Sequence, residues 1–146
     1  MAHRQRVLVL CTGNSARSQL AEGWLRAYAG DRFEVHSAGS RPSGRVLPGA
    51  VDVMREIEVD ISEHRSQSVQ PAMIELADHV FVMAPKHEEY LRRFIPALGD
   101  KLVRTWEWAD EALTQIDDPV GQDLAAFQRC RDLIDRCMDN WFDSLP

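Results

Sequence analysis

At 146 residues, with 45% hydrophobic and 27% charged side chains, the chain has the size and composition of one globular domain, 1–146, that buries its core without staples. Its formal charge of −6, unrelieved by any basic run, excludes nucleic acid and anionic membrane surfaces as expected partners. No stretch approaches the roughly 20 apolar residues of a membrane span, and three cysteines without framework spacing fit a reducing compartment, so a cytoplasmic protein is expected.

Arg6 to Leu10 is a short continuous apolar run followed by a glycine-containing turn, the pattern of a buried parallel strand, and it delivers Cys11 to the strand's carboxyl end. It is too short for a signal-peptide apolar region. From Ser18 the spacing becomes helical, with Leu20, Ala21, Trp24, Leu25 and Tyr28 on one face and Gly30 closing the segment. Phe33 to Ala38 reads as a second strand stopped by Gly39, and Val46 to Ile57 as a second helix with Pro48 near its start. A short helical stretch near Ala72 to Leu76 precedes a third strand, His79 to Met83, and then a helix around His87 to Phe94. Lys101 to Thr105 reads as the fourth strand. A loop from Trp106 to Gly121 leads into a long last helix, in which Phe127, Cys130, Ile134, Cys137, Met138 and Trp141 recur at helical spacing. Strands alternating with helices imply a single-domain α/β fold, a doubly wound four-stranded parallel sheet with helices on both faces. Ligands of such sheets sit beyond the strands' carboxyl ends, where Cys11 lies.

An acidic protein that binds an anion must gather positive potential in one place. The segment Cys11-Thr12-Gly13-Asn14-Ser15-Ala16-Arg17-Ser18 meets that need, because its unpaired backbone N–H groups open a helix directly after a strand. The same field favours the thiolate form of Cys11, which is the nucleophilic one. Arg17 offers a planar fork for two oxyanion oxygens. Gly13 can take positive φ and leaves room for close approach, Asn14 tolerates the left-handed region better than most residues, and Ser18 has a hydroxyl to donate to the sulfur. The ending Gly-Lys-Ser/Thr of a nucleoside-triphosphate loop is absent, as is a Gly-x-Gly-x-x-Gly dinucleotide fingerprint. Asp117-Asp118-Pro119 supplies an acid to protonate a departing oxygen. Pro119 keeps Asp118 out of helical geometry, and the neighbouring Asp117 disfavours a second negative charge.

Cys11-(x)5-Arg17-Ser18 near the N-terminus with Asp118-Pro119 near the C-terminus resembles the low-molecular-weight protein tyrosine phosphatase superfamily. The flanks Ala21-Glu22-Gly23, Ser37-Ala38-Gly39, Asp60-Ile61-Ser62 and Phe127-Gln128-Arg129 are most similar to its thioredoxin-type arsenate reductases. The resemblance implies that superfamily's fold, with Cys11 as nucleophile, residues 12 to 18 as the oxyanion loop, Arg17 as oxyanion binder, Ser18 as thiolate stabiliser and Asp118 as general acid. It also implies a potassium ion near Asn14, Glu22 and Ser37 in related reductases. Two departures stand out. Those reductases relay electrons through cysteines after the third strand, where this chain has Met83-Ala84-Pro85-Lys86. Phosphotyrosine enzymes wall their pocket with aromatics, where this chain has Thr12, Val120 and Gly121, so a flat substrate finds little to stack on.

The expectation is therefore an arsenate reductase-like enzyme without a tightly bound cofactor, completed by an external thiol: glutaredoxin with glutathione, mycoredoxin with mycothiol, or thioredoxin. The alternative is a low-molecular-weight phosphatase that hydrolyses phosphomonoesters through a phosphocysteine. A third reading, a non-catalytic oxyanion-binding module, needs neither nucleophile nor acid and so leaves both unexplained. Cys130 and Cys137 read as core residues on the apolar stripe of the last helix rather than as resolving thiols. His36 and His79 fall in strands taken as buried, His64 and His87 in polar connections, with no metal-ligand spacing, so no metal site is expected from them. Trp106 and Trp108 are expected to pack under the long loop.

Overall fold

The apolar runs form β1 (Gln5–Cys11), β2 (Phe33–Gly39), β3 (His79–Val82) and β4 (Leu102–Arg104) in the computed structural model, which describes residues 4–146. All neighbours are parallel, and the order β2-β1-β3-β4 puts the two longest strands side by side with β1 central. Around them lie α1 (Arg17–Ala29), α2 (Pro48–Arg55), α3 (Pro71–Leu76), α4 (Pro85–Leu91) and α5 (Leu124–Asp143). The expected four-stranded α/β architecture is thus the observed one. Three helices begin on a proline, whose fixed φ suits the first turn and whose missing N–H costs nothing there. The long loop carries a 3₁₀ turn, Thr105–Trp108, that buries Trp106.

Partners in parallel register share a face of the sheet, so Val7, Val9 and Cys11 point the same way as Val35, Ser37 and Phe81. That face is covered by α5: the Trp141 ring sits 4.7 Å from Phe81 and 5.6 Å from Phe33, centroid to centroid. Each such ring buries a large apolar area in the core. Ser37 and Cys11 extend the same face at its upper end, where polar side chains replace the apolar ones.

Several side chains depart from the sequence expectation. Tyr28 keeps the helical spacing but is 54% exposed, because Trp24 takes the core position and the Tyr28 ring lies on its solvent side at 5.2 Å. His36 is exposed although its strand neighbours are buried, and His79 is half-buried against Trp141. His87 lies on α4 rather than in a polar connection, and it is buried.

The end of β2 meets the segment after Cys11 at Gly39. A Cβ there would stand 2.5 Å from the Thr12 carbonyl oxygen and 3.0 Å from the Asn14 nitrogen. Both are backbone atoms, and Gly39 is itself pinned by bonds to Gln67 and Val69. Gly39→Ala should therefore destabilise the fold by about 1–3 kcal/mol or more, the range for overpacking a site that has no slack. A urea midpoint equal to that of the parent protein would rule out this close approach.

Candidate active site

The loop between β1 and α1 is shaped from outside. The N–H groups of Ser40, Arg41 and Ser43 donate to the carbonyls of Cys11, Thr12 and Gly13 at 3.1, 2.9 and 2.9 Å. Gln19 Nε2 donates to Asn14 O at 3.0 Å, and Leu47 N and Leu20 N each donate at 2.9 Å to Ser15 O and Ala16 O. Every carbonyl from Cys11 to Ala16 is thereby held outward. The amides of Gly13 to Ser18 are left without an acceptor among the described residues. Ala16, ahead of α1, offers no side-chain cap. Converging free N–H groups at a helix start form an anion site by charge and geometry alone. Of the two residues suited to the left-handed region, Asn14 adopts it, at a φ of 48°. Gly13 serves by close approach, since a Cβ would lie 2.9 Å from Ser15 Oγ.

Asn14 organises the site from beneath. Its fully buried amide nitrogen donates at 2.8 Å to Ser18 Oγ and at 2.8 Å to Ser37 Oγ, while its oxygen accepts from the Gln67 N–H at 2.9 Å. These bonds fix the direction of the rest. Ser18 Oγ already accepts, so its proton is free to go to Cys11 Sγ at 2.9 Å. Ser37 likewise donates to Glu22 Oε1. The chain of donors runs from Asn14 both ways, ending on a carboxylate at one end and on the sulfur at the other.

Arg17 is 3% exposed, and its guanidinium donates to Ile116 O at 3.0 Å and reaches Asp118 Oδ2 at 3.4 Å. Ile116 N in turn donates to Met83 O at 2.8 Å, which ties the Asp118 loop to the end of β3. Asp118 Oδ1 accepts the Val120 N–H, and the Asp118 side chain is 42% exposed. The structure thus brings together Cys11, the loop to Ser18, Arg17 and Asp118. It keeps Cys137 within the core, while Cys130 packs beneath Asp117 with Sγ 3.8 Å from that carbonyl. Burial pushes the Cys130 thiol up to about 12 and the Cys137 thiol up to about 11.

Residues 6–146 match the family described as low molecular weight phosphotyrosine protein phosphatase. The chain belongs to that family. Within it, arsenate reductase 2 of Staphylococcus saprophyticus is 33% identical over 141 residues, covering 97% of this chain and 98% of that protein. Arsenate reductase 1 of Bacillus cereus is 34% identical over 134 residues, covering 92% of this chain and 91% of that protein. Among solved structures, the low molecular weight protein tyrosine phosphatase of T. tengcongensis superposes with a TM-score of 0.87 at 29% identity, covering 97% of this chain and 99% of that one. Both arsenate reduction and phosphoester hydrolysis therefore occur among relatives of this low molecular weight phosphatase family member.

The three residues that the resemblance places near potassium in related reductases are bonded to protein groups here. The Asn14 oxygen is taken by Gln67, and the Ser37 hydroxyl lies between Asn14 and Glu22. The remaining Glu22 oxygen is 2.7 Å from Arg26 Nε and 3.6 Å from His64 Nδ1. A guanidinium supplies the positive charge at this point. No group of three His, Cys, Asp or Glu side chains with metal-binding geometry occurs among the described residues.

His87 is the member of the site that no spacing in the sequence signals. Met83 N–H donates to its Nδ1 at 3.3 Å, so in the neutral ring Nε2 carries the proton and donates to Thr12 Oγ1 at 3.0 Å. Thr12, beside Cys11, is thereby oriented by a residue 75 positions away. Burial, followed by the positive charges of Arg17 and Lys86, pulls His87 down to about 3. The unfolded chain therefore takes up a proton as pH falls below about 6.5 while folded His87 stays neutral, so its contribution to stability is lost progressively from there towards pH 3. His64 and His79 are also held down by burial and add in the same direction. His87→Gln should make the fall in unfolding free energy between pH 6.5 and 4.5 shallower by up to about 1.4 kcal/mol per pH unit. Urea midpoints of both proteins across that range give the comparison, and parallel curves would mean that His87 is protonated in the fold.

Proposed function

We propose that this enzyme reduces arsenate to arsenite, with Cys11 as nucleophile, Asp118 as general acid and a thiol from outside the chain as reductant. The observation that carries the reading is the donor chain Asn14 to Ser18 to Cys11, which presents a hydroxyl proton to the sulfur and so stabilises its thiolate. The free amides of Gly13 to Ser18 and the Arg17 guanidinium then hold three oxygens of a tetrahedral oxyanion with the fourth pointing towards Asp118. Thiolate attack on arsenic forms a sulfur–arsenic bond, and the displaced oxygen takes a proton from Asp118 and leaves as water. An incoming thiolate next attacks Cys11 Sγ. A disulfide forms, and the electron pair of the sulfur–arsenic bond stays on arsenic, which departs as arsenite. A second thiol frees Cys11.

The state of the other two thiols supports an external source. A nucleophilic thiol must be deprotonated near neutral pH, and burial holds Cys130 and Cys137 far above that range. The identity to curated arsenate reductases over nearly the full chain supports arsenate as substrate. Phosphomonoester hydrolysis is the second reading. It is favoured by the same absence of an internal reductant, because water alone would open a phosphocysteine at this site.

Two experiments test these assignments. Arsenite production and p-nitrophenyl phosphate hydrolysis are measured in parallel, with glutathione and glutaredoxin, mycothiol and mycoredoxin, or thioredoxin supplied in turn. Cys11→Ser should abolish both reactions, Arg17→Ala should lower turnover by about 10²–10³-fold, and Asp118→Asn by about 10²–10⁴-fold. Undiminished turnover in Cys11→Ser would end the mechanism, and phosphate release without arsenite from any donor would select the phosphatase. Separately, iodoacetamide at pH 7 should label Cys11 alone in the native protein, with Cys130 and Cys137 labelled only after denaturation. Rapid native labelling of Cys130 would identify an internal reductant instead.

A further inference from the structure

One cleft, of about 300 Å³, opens directly from the Cys11 loop, with Thr12, Arg41, Lys86, Glu89, Tyr90 and Arg93 in its lining. Three of these lining residues are cations. Arg6, Arg104, Arg131 and Arg136 lie against carboxylates, whereas Arg41, Lys86 and Arg93 have no carboxylate within ion-pair distance among the described residues. This holds although Glu89 shares the cleft. Unpaired like charges repel one another, so gathering three of them beside the oxyanion loop favours an anion that bridges them. Lys86, Tyr90 and Arg93 follow the spacing of one helix face along α4 and its continuation, and Lys86 to Arg93 covers about 10 Å at 1.5 Å per residue. The Arg93 guanidinium lies over the Tyr90 ring at 5.8 Å, which steadies it at the far end.

The mouth is electrostatically lopsided. The cleft at Thr12 carries these cations, whereas the separate cleft at Asp118 is lined by Glu111, Asp117 and Asp118 with Arg129 as its one cation. Once an oxyanion fills the loop, the next reactant must enter past this mouth, and a negatively charged one is drawn to the cationic side and repelled from the other. We propose that this cleft docks the thiol co-reactant, and that this thiol is a small peptide-like molecule with two carboxylates, of the glutathione type. The inference rests on the reductase reading and names the reductant it requires. One carboxylate pairs with Lys86 and Arg41 near Thr12, the other with Arg93. The same cations favour the thiolate of the bound reactant, which is the form that attacks Cys11 Sγ.

The test needs no arsenate. Cys11 is converted with 2,2′-dithiodipyridine to its thiopyridyl disulfide, and release of thiopyridone is followed after adding glutathione, glutathione dimethyl ester or 2-mercaptoethanol. Rates are compared at equal thiolate concentration. Glutathione should react faster than its diester by on the order of tenfold at low ionic strength, with the gap closing in high salt. The double variant Lys86→Ala/Arg93→Ala should lose that advantage while keeping the 2-mercaptoethanol rate of the parent, which shows that Cys11 remains accessible. Equal rates for glutathione and its diester, or an advantage that survives the double variant, would overturn the assignment. Failure to form arsenite with any donor, beside a preserved glutathione advantage, would remove the reductase reading and leave the cationic, anion-binding cleft standing.

Discussion

The site depends on the side chain of Asn14. Its amide has two protons and spends them on two serines from different elements, one ahead in α1 and one on the neighbouring strand β2. Each serine must then pass its own proton onward. A buried amide with all its bonds made is rigid and specific, whereas one left half-satisfied costs the fold its full desolvation. Asn14 therefore couples the position of the loop to the polarity of the sulfur, and neither is adjustable without the other. Its left-handed backbone, at a φ of 48°, is a conformation that Asn accepts more readily than most residues with a side chain.

The second constraint is placed outside the loop. Ser40, Arg41, Ser43 and Leu47 use their backbone N–H groups to hold the loop carbonyls, so the anion cradle is cast by the chain that follows β2. This arrangement explains why Gly39 has no room for a side chain and why β1 and β2 must stay in register up to Cys11 and Gly39. A cradle assembled before its ligand arrives needs no reorganisation during the reaction, which is the condition under which fixed dipoles act most strongly on developing charge. Arg17 applies the same logic on the other side, with one nitrogen anchored on Ile116 and another turned to Asp118.

Much of this was legible before any coordinates. The continuous apolar run of β1 and the change to helical spacing at Ser18 locate the loop, because buried parallel strands and amphipathic helices leave different periods. Asn14 and Ser18 are recognisable as polar residues in a turn that must serve a sulfur. What escaped was everything set by distant packing. The burial of His87 depends on α4 folding back over the end of β3, and no local pattern encodes a partner 75 residues away. Gly13 and Asn14 both suit a left-handed backbone, and the hydrogen bonds of Asn14 decide which of the two adopts it. Tyr28 has the right period and the wrong exposure, since periodicity gives a direction but not what lies there.

The dependence on one asparagine has a consequence for how such a protein ages. Hydrolysis of the Asn14 side-chain amide to a carboxylate would replace a double donor by an acceptor and reverse the bond direction at Ser18 and Ser37 together. A charge would be created where the residue is fully buried, next to a network already ending on Glu22. Spontaneous deamidation, a recognised weakness of asparagine under heat, would thus disarm the sulfur without touching it. The bonds that hold Asn14 in place, by restraining the backbone that must fold onto the amide for this reaction, are also what preserves the site over time.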